Sequence, residues 1–227
     1  MFSFPLLLTI YAGFAHAFET DHLLAVSNLV SQRNNAFKSM KDGIFWGLGH
    51  TSSILLVGML ILLLKVHVNN NYFHFLEAGV GVMLVIMGFF RLSKLKRHIG
   101  QTKNIQHQHQ YNFITAMPAT NVTNTGVKKL HFISYVVGAV HGLGGSGELV
   151  LLVMLQIASP QTALMFLLIF GIGSILGMLL AAALFSIPFS KKLFKARALQ
   201  VSLILLSGFL CIGFGVSIVY KNLLVLQ

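Results

Sequence analysis

Residues 162–186 read TALMFLLIFGIGSILGMLLAAALFS, twenty-five residues without one charged side chain. A helix needs roughly 20 predominantly apolar residues to cross a bilayer, so this stretch predicts a transmembrane helix. Five further stretches qualify: residues 4–30, 43–64, 72–92, 131–157 and 199–220. None alternates apolar and polar residues as a barrel strand does, which predicts an all-α integral membrane protein with six transmembrane helices. Composition agrees. Of the 227 residues 56% are apolar and 9% charged, against roughly 45–50% and about 25% in a soluble domain. A single cysteine, Cys211, excludes a disulfide framework and a dithiol site within the chain.

The net charge of +11 would suggest nucleic acid in a soluble protein, but its placement gives another meaning. Arg33, Lys38 and Lys41 lie in the first joint. Arg91, Lys94, Lys96, Arg97, Lys103, Lys128 and Lys129 lie in or beside the third, and Lys191, Lys192, Lys195 and Arg197 in the fifth. Only Lys65 and Lys221 fall on the opposite side, so fourteen of sixteen basic residues mark one face as cytoplasmic. Both termini are then expected outside, with no role for nucleic acid. Ala15-His16-Ala17 resembles a signal-peptide cleavage site. No Lys or Arg precedes the first apolar run, however, and cleavage would remove His16. The run is therefore kept as a helix.

Gly13-Phe-Ala-His16 reappears as Gly138-Ala-Val-His141, and Gly47-Leu-Gly49-His50 as Gly171-Ile-Gly173-Ser174. Gly81 and Gly88 match Gly208 and Gly215. The spacing is nearly constant, which divides the chain into a first three-helix repeat (residues 1–92), a loop (93–130) and a second repeat (131–227). An odd number of helices per half inverts one half relative to the other, an architecture of transporters whose site lies where the halves meet. The loop is rich in His, Gln and Asn. His98, His107 and His109 could bind metal loosely as an accessory, or the segment is simply a solvated linker.

The chain holds five acidic residues: Glu19, Asp21, Asp42, Glu77 and Glu148. Asp42 is expected at a cytoplasmic helix start and Glu77 near an outer helix end. Glu19, Asp21 and Glu148 fall within apolar runs, where a charge costs about 2.5–3.5 kcal/mol and usually faces a cavity or partner. On one continuous helix His16, Glu19 and His22 share a face. Asp21 joins them only if the helix is kinked or locally unwound. Imidazoles with one or two carboxylates suit nickel, cobalt, zinc or iron(II), and His50 and His141 could add nitrogen ligands. His141 and Glu148 share a face across the glycine-rich Gly142-Leu-Gly-Gly-Ser-Gly147, and with Glu19 they are expected to orient ligands or gate. Acid should weaken metal binding, because a ligating imidazole must be neutral and free His titrates near pH ~6.5.

Catalytic signals are poorer. Gly145-Ser146-Gly147 lacks a G-x-S-x-G context, no Gly-Lys dipeptide exists for a P-loop, and no H-E-x-x-H occurs. An intramembrane hydrolase using Ser146 and a histidine is the enzymatic alternative, and a non-transporting membrane metallochaperone is another.

His16-x4-Asp21-His22 resembles the H-x4-D-H signature of the nickel/cobalt transporter superfamily. Leu48-Gly49-His50-Thr51 resembles its next-helix L-G-H-S/T motif. His141-Gly-Leu-Gly-Gly-Ser resembles the H-G-x-x-G-S segment of the six-helix NicO and urease-accessory UreH-type branch. The resemblance implies permeation of a divalent transition metal in a bacterial inner membrane, Ni²⁺ preferred and Co²⁺ possible, with His16, Asp21, His22 and His50 as the selective positions. The metal would be transported substrate rather than resident cofactor, and a cytoplasmic metallochaperone or metalloenzyme maturation factor could receive it. Gly177-Met178 is followed by no acid, so the acidic motifs of the eight-helix permeases are missing.

Overall fold

The computed structural model describes residues 3–30, 36–64, 70–101, 124–144, 157, 159–187 and 197–225. These residues hold seven helices and no strand: α1 (Ser3–His16), α2 (Thr20–Val30), α3 (Ala36–Leu64), α4 (Asn70–Gln101), α5 (Asn124–Leu143), α6 (Pro160–Ser186) and α7 (Arg197–Val225). Four contain a stretch long and apolar enough to cross a membrane: Ala36–Leu63, Asn71–Ser93, Pro160–Ser186 and Val201–Val225. Pro5–His16 and His131–Leu143 are shorter apolar helices. Large apolar side chains such as Leu7, Tyr11, Phe89, Phe90, Phe132 and Phe209 stand exposed. Water would penalise such a surface, whereas lipid accepts it. The protein is a multi-pass helical membrane protein.

The first apolar run is not one helix. It breaks at Ala17–Glu19, where the N–H of Phe18 donates to Ala15 O (2.9 Å) and that of Glu19 to His16 O (3.1 Å). These tight i→i+3 bonds close α1. Helix α2 then starts at Thr20 with Asp21 in its first turn, where a carboxylate complements the helix dipole. The joints also differ from the sequence reading. Helix α4 runs on to Gln101, so His98 falls in its last turns, and α5 begins at Asn124. The N-terminus of α6 follows local chemistry: Ser159 caps it by accepting from Thr162 N–H, and Pro160 opens it.

Between membrane helices the apolar driving force is weak, so close backbone approach sets the packing. Helix α1 packs on α6, α3 on both α5 and α6, and α4 on α7. Short α2 lies among them, touching α3, α4, α6 and α7. Glycine makes the approach possible. A Cβ on Gly13 would overlap the Phe170 carbonyl of α6, and one on Gly138 the Trp46 carbonyl of α3. Gly173 meets Ile10 and Phe14, while Gly49 meets Tyr135 and Ala139. Gly81 faces Gly215, and Gly88 faces Gly208. Gly49→Ala is therefore expected to cost about 1–3 kcal/mol, the range for overpacking. Gly79→Ala, with nothing within 4 Å of the added methyl, should be neutral. Thermal unfolding of the two variants in detergent measures the difference, and equal transitions would deny the tight α3–α5 contact.

Candidate metal centre

The break after α1 turns the polar cluster inward. His16 ends α1 and His22 sits in the first turn of α2, with ring centroids 4.5 Å apart. Helix α3 contributes His50, whose Nε2 lies 3.0 Å from His16 Nε2. Helix α5 contributes His141 near its C-terminal end, with its ring 4.6 Å from that of His22. His22, His50 and His141 are at most 1% exposed and His16 is 5% exposed. Trp46 walls the cluster beside His22 and His141, and Phe170 covers His16.

Two carboxylates hold these rings. Glu19 Oε1 lies 3.1 Å from His16 Nδ1, and its side chain is 42% exposed, so it connects the buried cluster to the surroundings. Asp21 bridges two helices: its Oδ1 is 3.0 Å from His22 Nδ1 and its Oδ2 3.4 Å from His141 Nε2. The second approach lies within ion-pair range, and among the described residues neither His141 nitrogen has a hydrogen-bond partner. His22 Nε2 and His50 Nδ1 also lack a hydrogen-bond partner among the described residues. An orphaned buried ring nitrogen is costly, and ligation is one way to satisfy it.

Ligand atoms come together in two groups, His16–His22–His50 and Asp21–His22–His141, each within 4.8 Å. The donor set of imidazole with carboxylate suits a divalent first-row transition ion. Metal–nitrogen bonds of about 2.0–2.1 Å at angles of about 90–110° place two ring nitrogens roughly 2.8–3.4 Å apart. The His16–His50 separation falls in that range. Each carboxylate, by holding one ring nitrogen, points the other at the shared space, as outer partners of metal-ligating histidines do.

The structure thus brings together His16, Asp21, His22 and His50, with Glu19 against His16. It also places His141 beside Asp21, its Nε2 3.4 Å from the carboxylate. The parallel between His16 and His141 was the sequence signal for that. Glu148, Ser146, His107 and His109 lie outside the described residues, and the side chain of His98 does too. Asp42 departs from its expected place at a helix start. It is fully buried six residues into α3, where its Oδ1 pairs with His131 Nδ1 at 2.7 Å. Phe45 stacks on that imidazole. A further pair, His74 Nδ1 with Asn222 Oδ1 at 2.8 Å, ties α4 to α7.

Fold and site together define a class: a multi-pass helical membrane protein with an imidazole–carboxylate cluster buried where its helices meet. The chain is 34% identical over 209 residues to urease accessory protein UreH of Bacillus sp. (strain TB-90), covering 92% of this chain and 87% of that protein. It belongs to the nickel/cobalt transporter superfamily, in the branch of the UreH-type urease accessory proteins. Two plant proteins are more distant. Chloroplast protein FOR GROWTH AND FERTILITY 2 of Arabidopsis thaliana is 27% identical over 74% of this chain and 43% of its own length. Chloroplast protein FOR GROWTH AND FERTILITY 1 is 25% identical over 92% of this chain and 56% of its own length. No family model matches the chain, and no solved structure matches it.

Proposed function

We propose that this protein is a permease for a divalent transition metal ion, Ni²⁺ preferred and Co²⁺ accepted, working as an importer in a bacterial inner membrane. One observation carries the reading: four buried imidazoles and a carboxylate converge between apolar helices, walled by Trp46 and Phe170. Buried ionisable groups in membrane helices are costly and mark substrate pathways. Inward movement of a divalent cation is favoured by about 4.6 kcal/mol per 100 mV of inside-negative potential, so import requires no ATP site here. The metal is cargo, no permanent cofactor is invoked, and the protein is not an enzyme. The accessory role in the relative's name favours handing the ion to a cytoplasmic metallochaperone or maturation factor of a metalloenzyme.

Six membrane passes arranged as two inverted repeats, with both termini outside, complete the proposal. The contact pairs support it. Gly13 on Phe170 and Gly138 on Trp46 become the same contact when 125 is added to α1 numbers and 124 to α3 numbers. Gly173 on Ile10 and Gly49 on Tyr135 correspond in the same way. Within this frame His16 matches His141 while His50 matches Ser174, so the first half supplies most of the centre. The test is Ni²⁺ flux into proteoliposomes of the purified chain under an inside-negative potential. Saturable uptake that Co²⁺ competes for is expected, and inertness toward every first-row divalent ion would end the reading.

A further inference from the structure

The two ligand groups share one residue. His22 belongs both to the triad with His16 and His50 and to the triad with Asp21 and His141. Its ring lies 4.5 Å from that of His16, 5.2 Å from that of His50 and 4.6 Å from that of His141. Its nitrogens are also divided. Nδ1 faces Asp21 Oδ1 at 3.0 Å, while Nε2 has no hydrogen-bond partner among the described residues. A neutral imidazole carries one proton and one ligating lone pair, on opposite nitrogens.

We infer that the centre holds a single metal ion in either of two coordination sets, with His22 as the shared ligand that makes them mutually exclusive. In one set His22 ligates through Nε2 beside His16 and His50, and its Nδ1–H donates to Asp21. In the other it ligates through Nδ1 beside Asp21 and His141, and the proton sits on Nε2. The ring bears one proton and no charge in both sets, so exchange between them gives up the proton on one nitrogen to water and takes one from water on the other, with no net change in protons. The sets differ in charge. The first is all-nitrogen and neutral, while the second adds the Asp21 carboxylate. A divalent cation is therefore held more firmly on the α5 side, and the α3 side offers a weaker station one imidazole away. Permeation requires such neighbouring stations, each favourable enough to occupy and weak enough to leave. This inference rests on the proposed metal transport and deepens it.

The test is metal stoichiometry and ligand count on the purified full-length chain, with His98, His107 and His109 replaced by Gln to remove loop binding. Titration with Ni²⁺ should give one ion per chain. His22→Asn, which keeps a donor beside Asp21, should lose that ion. His141→Ala and His50→Ala should each retain one ion, because each leaves one triad intact. X-ray absorption should then count three imidazoles on the ion in His141→Ala and two in His50→Ala. Retention of two ions by the parent chain, or loss in either single variant as complete as in His22→Asn, would overturn the inference. Monodisperse elution of each variant separates ligand loss from misfolding, and a variant that fails it is replaced by its Gln counterpart. Two ions in a chain that transports would refute the shared ligand alone. One ion in a chain that shows no flux would refute the transport reading alone.

Discussion

His22→Ala is expected to abolish Ni²⁺ flux while leaving the helical protein inserted. His22 is the residue common to both ligand groups, so its loss removes a nitrogen from each. The His22 ring is also the partner of Asp21 at 3.0 Å. Truncation to Ala therefore leaves that carboxylate short of a partner in a buried site, an expensive arrangement. His22→Asn keeps a side-chain donor there and separates lost ligation from lost stability. His16→Ala and His50→Ala each disrupt one group and should impair flux strongly. Asp21→Asn preserves shape but removes the charge that orients His22 in one set and ligates in the other, so affinity should fall by at least the about 10–100-fold that loss of an orienting partner costs. Isothermal titration together with vesicle flux measures all four positions. Wild-type affinity at every one of them would make the cluster structural and remove the main support for a transporter.

Thiol labelling from outside should be all or none. Cysteines introduced at Asn70 and Gln161 should react with an impermeant reagent, whereas cysteines at Gln110 and Lys192 should stay protected until the membrane is opened. The physical basis is the fourteen-to-two division of Lys and Arg between the joints, which sets orientation during insertion. The background is best made with Cys211→Ser. The Cys211 thiol is fully buried, accepts from Asn28 Nδ2 at 3.0 Å and donates to Leu24 O at 3.3 Å, bonds a hydroxyl can replace. Inverted labelling would place both termini inside and overturn the topology.

The sequence by itself determined the solvent of this protein and the neighbourhood of its chemistry. Charge is scarce and apolar runs reach bilayer length, so the membrane class follows from composition and run length alone. His16, Asp21 and His22 stand out because a polar cluster within an apolar run needs a partner wherever the helix goes. Local periodicity could say less about geometry. A continuous helix would have pointed Asp21 away from His16 and His22, and only the break at Ala17–Glu19 lets that carboxylate reach His22 and His141. The α3 and α5 ligands depend on contacts far apart in the chain, where Gly49 and Gly138 let two backbones meet. The burial of Asp42 against His131 is likewise invisible in the sequence, since residues 89 positions apart share no local signal. Tertiary structure decided these points because a glycine permits close approach, but only the partner helix fixes what it approaches.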